Sequence, residues 1–289
     1  MERADINWGR MQSEQPATRT AEHVLGVIVP AYNEERSIER VVRRVLQEPS
    51  VQQVVVVDDC SSDGTLEAAR RCTDDPRVLV KHHEVNRGKG AAVRTGLEAI
   101  TAPLVIIQDA DLEYDPSDYN KLVSPILRGR ADVVYGIRGF AGQSAYSYWF
   151  VVGNRVVTTA TNILFNCYIQ DMETGYKVMR TSLMRRLGLR GTRFDIEPEI
   201  TGRIVRLGYR IYEVPIDYAA RTRAQGKKLT WRDGIKALFV LMRIRLASDR
   251  SLFGDRDPYH EERINQLTES LMARGAEKET PVGPTRDSP

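Results

Sequence analysis

The chain has little from which to build a disulfide framework. Its three cysteines, Cys60, Cys72 and Cys167, are scattered over 289 residues with no CxxC spacing. That pattern excludes a cysteine zinc site and suits a reducing compartment. Long hydrophobic runs are also missing. No stretch reaches the roughly 18–20 apolar residues that span a bilayer. YWFVVGNRVVTTATNILF is interrupted by Asn154 and Arg155, and GIKALFVLMRIRLA is short and carries Lys236, Arg243 and Arg245. Charge of one sign is not in excess: 42 Lys and Arg face 39 Asp and Glu, a net charge of +3. A whole-protein nucleic-acid binder is usually more basic, so no nucleic-acid partner is expected. The first residues are polar with no apolar run behind them, unlike a signal peptide. The expectation is a soluble cytoplasmic protein.

What is present alternates. VLGVIVP, QQVVVVDD, RVLVKHH, APLVIIQDAD and ADVVYGIR read as buried strands. Between them lie segments with helical spacing, such as Ile38, Val41, Val42, Val45 and Leu46 in NEERSIERVVRRVLQ. Strand and helix in alternation predict a mostly parallel α/β sheet, Rossmann-like, covered on both faces by helices. The predicted domain runs over 23–247. Residues 1–22 and 248–289 are polar or charged tails, with one solvated helix expected in HEERINQLTESLMARG.

In such sheets ligands bind at the carboxyl ends of the strands. Three of those ends carry carboxylates: PAYNEE after the first strand, DDCSSDG after the second and QDADLEYD after the fourth. One cluster alone is explained by helix capping or a turn, but three on one sheet edge point to a site. Asp109 and Asp111 stand two apart, which in extended backbone places them on one side. Such a pair suits a hard divalent cation, Mg²⁺ or Mn²⁺, with substrate phosphates completing its shell. Gly88-Lys89-Gly90 lacks the full phosphate-loop pattern and reads equally as a tight turn into a helix, with Lys89 a candidate for a diphosphate.

VIVPAYNEE, VVVVDDCSSDGT, NRGKGAAVRTG and DADLEYDP, in this order, resemble the family 2 glycosyltransferases of GT-A fold. DMETGYKVMR, RFDIEPEITGRIVRLGYRIYEVPIDY and RTRAQGKKLTWRDGIKAL resemble its dolichyl- and polyprenyl-phosphate hexose synthase branch, dolichol-phosphate mannose synthases among them. The resemblance implies an inverting transfer of a hexose from a nucleotide sugar to a polyprenyl phosphate. It implies donor binding by Pro30, Tyr32, Asn33, Glu34, Asp58, Asp59, Lys89 and Asp109, and metal binding by Asp109 and Asp111. Arg138, Arg221, Arg223, Lys227 and Lys228 are implied to hold the acceptor phosphate, Arg221 and Lys227 acting with the two aspartates in catalysis. Arg supplies bidentate phosphate contacts and Lys a point charge, which suits that basic loop.

An ionised phosphate acceptor needs no strong base, whereas a hydroxyl acceptor does. Asp171, Asp195, Glu197 and Glu199 are the candidates, although Glu197 and Glu199 also read as a favourable helix first turn. The rivals are transfer to a hydroxyl acceptor and a non-catalytic nucleotide-sugar-binding subunit. Residues 221–245 hold eight Lys or Arg against one acid, Asp233. Together with the apolar stretches 147–166 and 231–247, this leaves open peripheral attachment at the cytoplasmic membrane face or to a membrane-anchored partner subunit.

Overall fold

The computed structural model describes residues 23–139, 148–193, 195–219 and 231–254, apart from the side chains of Trp149, Phe150, Trp231, Arg232 and Asp233. The expected tail before residue 23, the tail helix in HEERINQLTESLMARG and the basic loop bearing Arg221, Arg223, Lys227 and Lys228 lie outside the described residues.

Seven strands form one sheet in the order β3-β2-β1-β4-β6-β5-β7. They are β1 (Leu25–Ala31), β2 (Val51–Asp58), β3 (Val78–His82), β4 (Leu104–Ile107), β5 (Val133–Arg138), β6 (Lys177–Arg180) and β7 (Ile211–Ile216). The valine-rich runs become central strands because both faces are covered. Val54, Val55, Val56 and Val57 are all fully buried, as are Val27, Ile28 and Val29. Each such side chain contributes about 1.5–3 kcal/mol when taken out of water. The crossover helices are α1 (Ile38–Val45), α2 (Thr65–Arg70), α3 (Lys89–Ala99) and α4 (Tyr119–Leu127). α1 starts at Ile38, the first residue of its apolar spacing; before it Asn33 takes φ 55° and the chain turns through Glu35–Ser37.

β1, β2, β3 and β4 pair in parallel, and so do β5 and β7. β6 is antiparallel to both neighbours, β4 and β5. That reversal matters for the site. An antiparallel strand begins at the edge where its parallel neighbours end, so the turn before β6 is delivered to the carboxyl edge.

The rest of this body comprises α5 (Tyr148–Phe165), α6 (Thr181–Arg186), α7 (Ile196–Arg206) and α8 (Trp231–Leu246). α8 packs on α5 and α7. Val157, Ile169, Met172, Ala237 and Leu241 form a satellite core there. A separate unit begins at Ala247; its described part holds one short helix, α9 (Asp249–Phe253). Among the described residues no helix is long and apolar enough to cross a membrane.

Candidate active site

A cleft of about 1010 Å³ opens over the carboxyl edge. The end of β1 and the turn after it contribute Pro30, Ala31, Tyr32 and Glu34, the residue after β2 is Asp59, and the chain beyond β4 contributes Asp109, Asp111, Glu113 and Tyr114. All three acidic strand ends therefore converge.

Two of the expected donor residues turn elsewhere. Asn33 does not line the cleft; its backbone N–H donates to Ser61 Oγ and its Oδ1 accepts from Ser62 N–H. It fastens the β1 turn to the β2 turn. Asp58 is fully buried and does not line the cleft; its Oδ2 lies 2.8 Å from His82 Nδ1, and its Oδ1 has no hydrogen-bond partner among the described residues. Asp59 reaches the cleft but is also a brace. It accepts from the backbone N–H groups of Arg87 and Gly88 and from His83 Nδ1, while His83 Nε2 meets the Thr95 hydroxyl.

The Gly88–Gly90 turn corrects the phosphate-loop alternative. Gly88 has φ 87°, open to glycine at little cost. A side chain at Gly88 or Gly90 would strike the backbone oxygen of Thr192 or Gly191, at 2.3 and 2.5 Å. Ala91 N–H donates to Thr192 O. The loop before α7 thus sits on the N-terminus of α3 where a phosphate would have been cradled. The Lys89 side chain reaches the cleft instead. Its Nζ lies 2.7 Å from Asp109 Oδ1 and 2.6 Å from Glu197 Oε1. Burial opposes its charge, but the two carboxylates outweigh burial and hold the ammonium well above its ordinary range.

Asp109, Ala110 and Asp111 all line the cleft; the chain turns at Ala110 and Asp111, and this turn, rather than an extended backbone, brings both carboxylates to the wall. Asp111 Oδ1 accepts from Glu113 N–H. Gly175 leaves room beside the pair: a Cβ there would lie 3.0 Å from Asp109 Oδ2 and 3.2 Å from the Tyr114 ring. Hard carboxylate oxygens at a roomy cleft wall fit a Mg²⁺ or Mn²⁺ ion that keeps waters or phosphate oxygens. Among the described residues no three His, Cys, Asp or Glu side chains form a ready-made metal cage.

Arg138 lines the cleft from the end of β5, yet it is only 3 % exposed. Its Nε and Nη2 donate to the two oxygens of Asp171, each at 2.7 Å, and its guanidinium lies 5.2 Å from the centre of the Tyr218 ring. Burial raises the Asp171 carboxyl, but the Arg138 guanidinium and the Asn154 amide overcome it, and the group titrates below its ordinary range. Asp171 is therefore a clamp and a poor proton acceptor, against the expectation of a base. Glu199 is also a clamp, 1 % exposed. It receives the backbone N–H groups of Arg190 and Gly191 and the guanidinium of Arg203. Asp195 and Glu197 do reach the cleft, where Glu197 is held by Lys89 and Asp195 accepts from Arg193 N–H.

Sequence reasoning missed Glu173. It lines the cleft from the turn before β6. Burial, then the nearby Glu197 charge, push its carboxyl up to about 7. Behind it, Lys177 is 1 % exposed, its Nζ donating to Thr174 O beneath the Tyr135 ring. Burial lowers that ammonium to about 8, partly offset by the surrounding carboxylates. The opposite wall is α8, which brings Ile235, Lys236, Phe239, Val240 and Arg243 to the cleft.

The family model for glycosyl transferase family 2 matches residues 26–188. The polyprenol monophosphomannose synthase of Mycolicibacterium smegmatis is 30 % identical over 221 residues, covering 72 % of this chain and 82 % of that protein. A UDP-N-acetylglucosamine–dolichyl-phosphate N-acetylglucosaminyltransferase of Methanococcus voltae is 27 % identical over 248 residues, covering 78 % and 98 %. Among solved structures, glucosyl-3-phosphoglycerate synthase of Mycobacterium tuberculosis, in complex with Mn²⁺, UDP-glucose and phosphoglyceric acid, superposes with a TM-score of 0.61. At 22 % identity, with 79 % of this chain and 82 % of that one covered, the likeness is one of fold.

Proposed function

Because this chain belongs to glycosyl transferase family 2, we propose that it is an inverting hexosyltransferase acting between a nucleotide sugar and a polyprenyl phosphate. The observation that carries this reading is the composition of the two cleft walls. One is built from carboxylates at the ends of β1, β2 and β4. The other is α8, where Lys236 and Arg243 stand beside Ile235, Phe239 and Val240. Cations next to apolar side chains suit an acceptor that is a phosphate on a hydrocarbon tail. The names of the similar lipid-phosphate transferases point the same way.

Pro30, Tyr32, Glu34 and Asp59 form the nucleotide side of the cleft. Asp109 and Asp111 would hold Mg²⁺ or Mn²⁺, which when bound supplies positive charge to the departing diphosphate. Lys89 keeps Asp109 in register from below. Lys236 and Arg243, joined by the basic residues of 221–228, position the acceptor phosphate. A phosphate oxygen then attacks the anomeric carbon opposite the leaving nucleoside diphosphate, so the anomer inverts in one step. The acceptor's second pKa is about 6, so the attacking group is already ionised and no base is needed. This fits the clamp roles of Asp171 and Glu199.

α8 also presents an apolar stripe outward. Ile235, Phe239, Met242 and Leu246 are 56 %, 71 %, 42 % and 77 % exposed, at helical spacing, with Arg243 and Arg245 alongside. A basic apolar helix of this kind lies well in a headgroup layer. We read it as the face on which the catalytic domain, 23–247, meets the membrane carrying its acceptor.

The test is a donor panel. Purified protein with Mg²⁺ or Mn²⁺ is offered GDP-mannose, UDP-glucose and UDP-N-acetylglucosamine with a polyprenyl phosphate, and products are read by mass. A hexosyl adduct of the lipid phosphate is expected. Transfer only to hydroxyl acceptors would contradict the proposal.

A further inference from the structure

The cleft contains one carboxyl that this reaction leaves without a task. Glu173 is half-buried and lines the cleft, and its carboxyl forms no hydrogen bond or ion pair with any described residue. The neighbouring cleft acids are committed: Asp109 and Glu197 to Lys89, Asp195 to Arg193 N–H and Glu113 to the Tyr218 hydroxyl, while Asp171, buried outside the cleft lining, is held by Arg138. The position of Glu173 follows from the reversed strand. β6 lies between β4 and β5, so the turn carrying Glu173 stands beyond β4 on the side away from β1 and β2. Gly175, two residues on, packs against Asp109 Oδ2. Glu173 therefore sits past the aspartate pair, in the half of the cleft opposite the nucleotide wall.

Charged groups face it from each element around it. Glu197 comes from α7, Lys177 from β6, Arg138 from β5 and Asp171 from its own turn. Burial and the Glu197 charge outweigh the two cations, and the acid is half neutral at about pH 7. A neutral carboxyl carries an O–H donor, which an ionised one lacks. An ionised Glu173 would repel a phosphate, and a neutral one welcomes it. A hydroxyl acceptor would require the reverse, an ionised carboxylate ready to take a proton.

Resting on the reading above, we infer that Glu173 binds the acceptor as a neutral acid, donating its O–H to an anionic oxygen of the acceptor phosphate. The proton stays on Glu173 while a different phosphate oxygen attacks. Above neutral pH, acceptor binding draws that proton from solvent.

The experiment uses the full chain and a short, water-soluble prenyl phosphate. Binding heats are measured at pH 7.5 in two buffers of different ionisation enthalpy, for the native protein and Glu173→Gln. The native protein should take up roughly three-quarters of a proton more per acceptor bound than the variant, as expected of a group titrating near 7. The amide is neutral and keeps a donor, so Glu173→Gln should retain turnover within about threefold at pH 6.5. The native KM for the prenyl phosphate should rise from pH 7 to 8.5, and the variant's should stay level. Equal proton uptake in the two proteins would sink the role of Glu173 alone. So would a loss of turnover above roughly 100-fold in Glu173→Gln with binding intact, the mark of a base. Failure of the native protein to bind or glycosylate the prenyl phosphate would overturn the proposed function and this inference together. Thermal melting of the variant at pH 6 separates misfolding from either result.

Discussion

Replacing Asp171 with Asn tests how the cleft wall is held. The substitution keeps the side-chain shape and removes one charge. Asp171 is fully buried and receives two guanidinium N–H bonds from Arg138, itself 3 % exposed, together with the Asn154 amide. Without the carboxylate, the buried guanidinium loses its bidentate counter-charge. Breaking one side of a buried pair costs about 3–5 kcal/mol. In a domain of this size each kcal/mol moves the melting midpoint by about 2–4 °C, so a fall of roughly 6–20 °C is expected. The sign of the pH dependence follows from the lowered carboxyl. Its contribution is fully present above the unfolded value of about 3.9 and is lost as pH falls through the still lower folded value. The gap between native protein and variant should thus stay level from pH 8 to 5 and narrow only in strong acid. Urea unfolding across that range measures it. A paired replacement, Arg138→Met with Asp171→Leu, should recover much of the loss because neither charge is then stranded. A single-variant cost under about 1 kcal/mol would refute the reasoning, since only an exposed pair is worth so little.

Asp111→Ala should lower turnover by roughly 100- to 1000-fold while leaving the melting midpoint near that of the native protein, the scale of one lost electrostatic stabiliser; steady-state rates at saturating donor check it. Gly96→Ala brings a methyl within 2.4 Å of Ile28 Cγ2 where α3 crosses β1. It should destabilise the chain by about 1–3 kcal/mol in urea. Met242→Asp with Leu246→Asp should abolish cosedimentation with anionic vesicles and spare activity on a short, soluble prenyl phosphate, since both side chains are exposed and neither lines the cleft. Full vesicle binding by that variant would remove α8 as the membrane face. Glu173 is raised to about 7, so its ionisation opposes folding. Glu173→Gln should therefore gain stability on the native protein as pH climbs from about 4.5 to 7, and an unchanged difference over that range would count against it.

The parallel half of the sheet was legible because its strands are uninterrupted β-branched runs, and the three acidic strand ends follow from the rule that such sheets bind ligands at one edge. Asp109, Asp111, Glu34, Tyr32 and Asp59 are where that reading expects them. The second half was less legible. KVMR is a four-residue strand whose direction no periodicity encodes, so the delivery of Glu173 and Gly175 to the cleft could not be read from spacing. Burial also reassigned several charged groups. Asp58, Asp171 and Glu199 look like site acids in the chain but are braces in the fold: the distant His82 and Arg138 reach the first two, and the loop backbone at 190–191 folds back onto the third. The Gly88–Gly90 turn differs for the same reason: a loop about one hundred residues later occupies the helix end it would have offered to phosphate.

Phosphorus NMR of a prenyl phosphate incubated with the purified chain, divalent metal and nucleotide sugars bears most directly on the central claim. Conversion of the phosphomonoester resonance to that of a phosphodiester, with release of one nucleoside diphosphate for each lipid consumed, is the expected result. An unchanged lipid resonance alongside sugar transferred to a hydroxyl, or donor bound without any transfer, would contradict it.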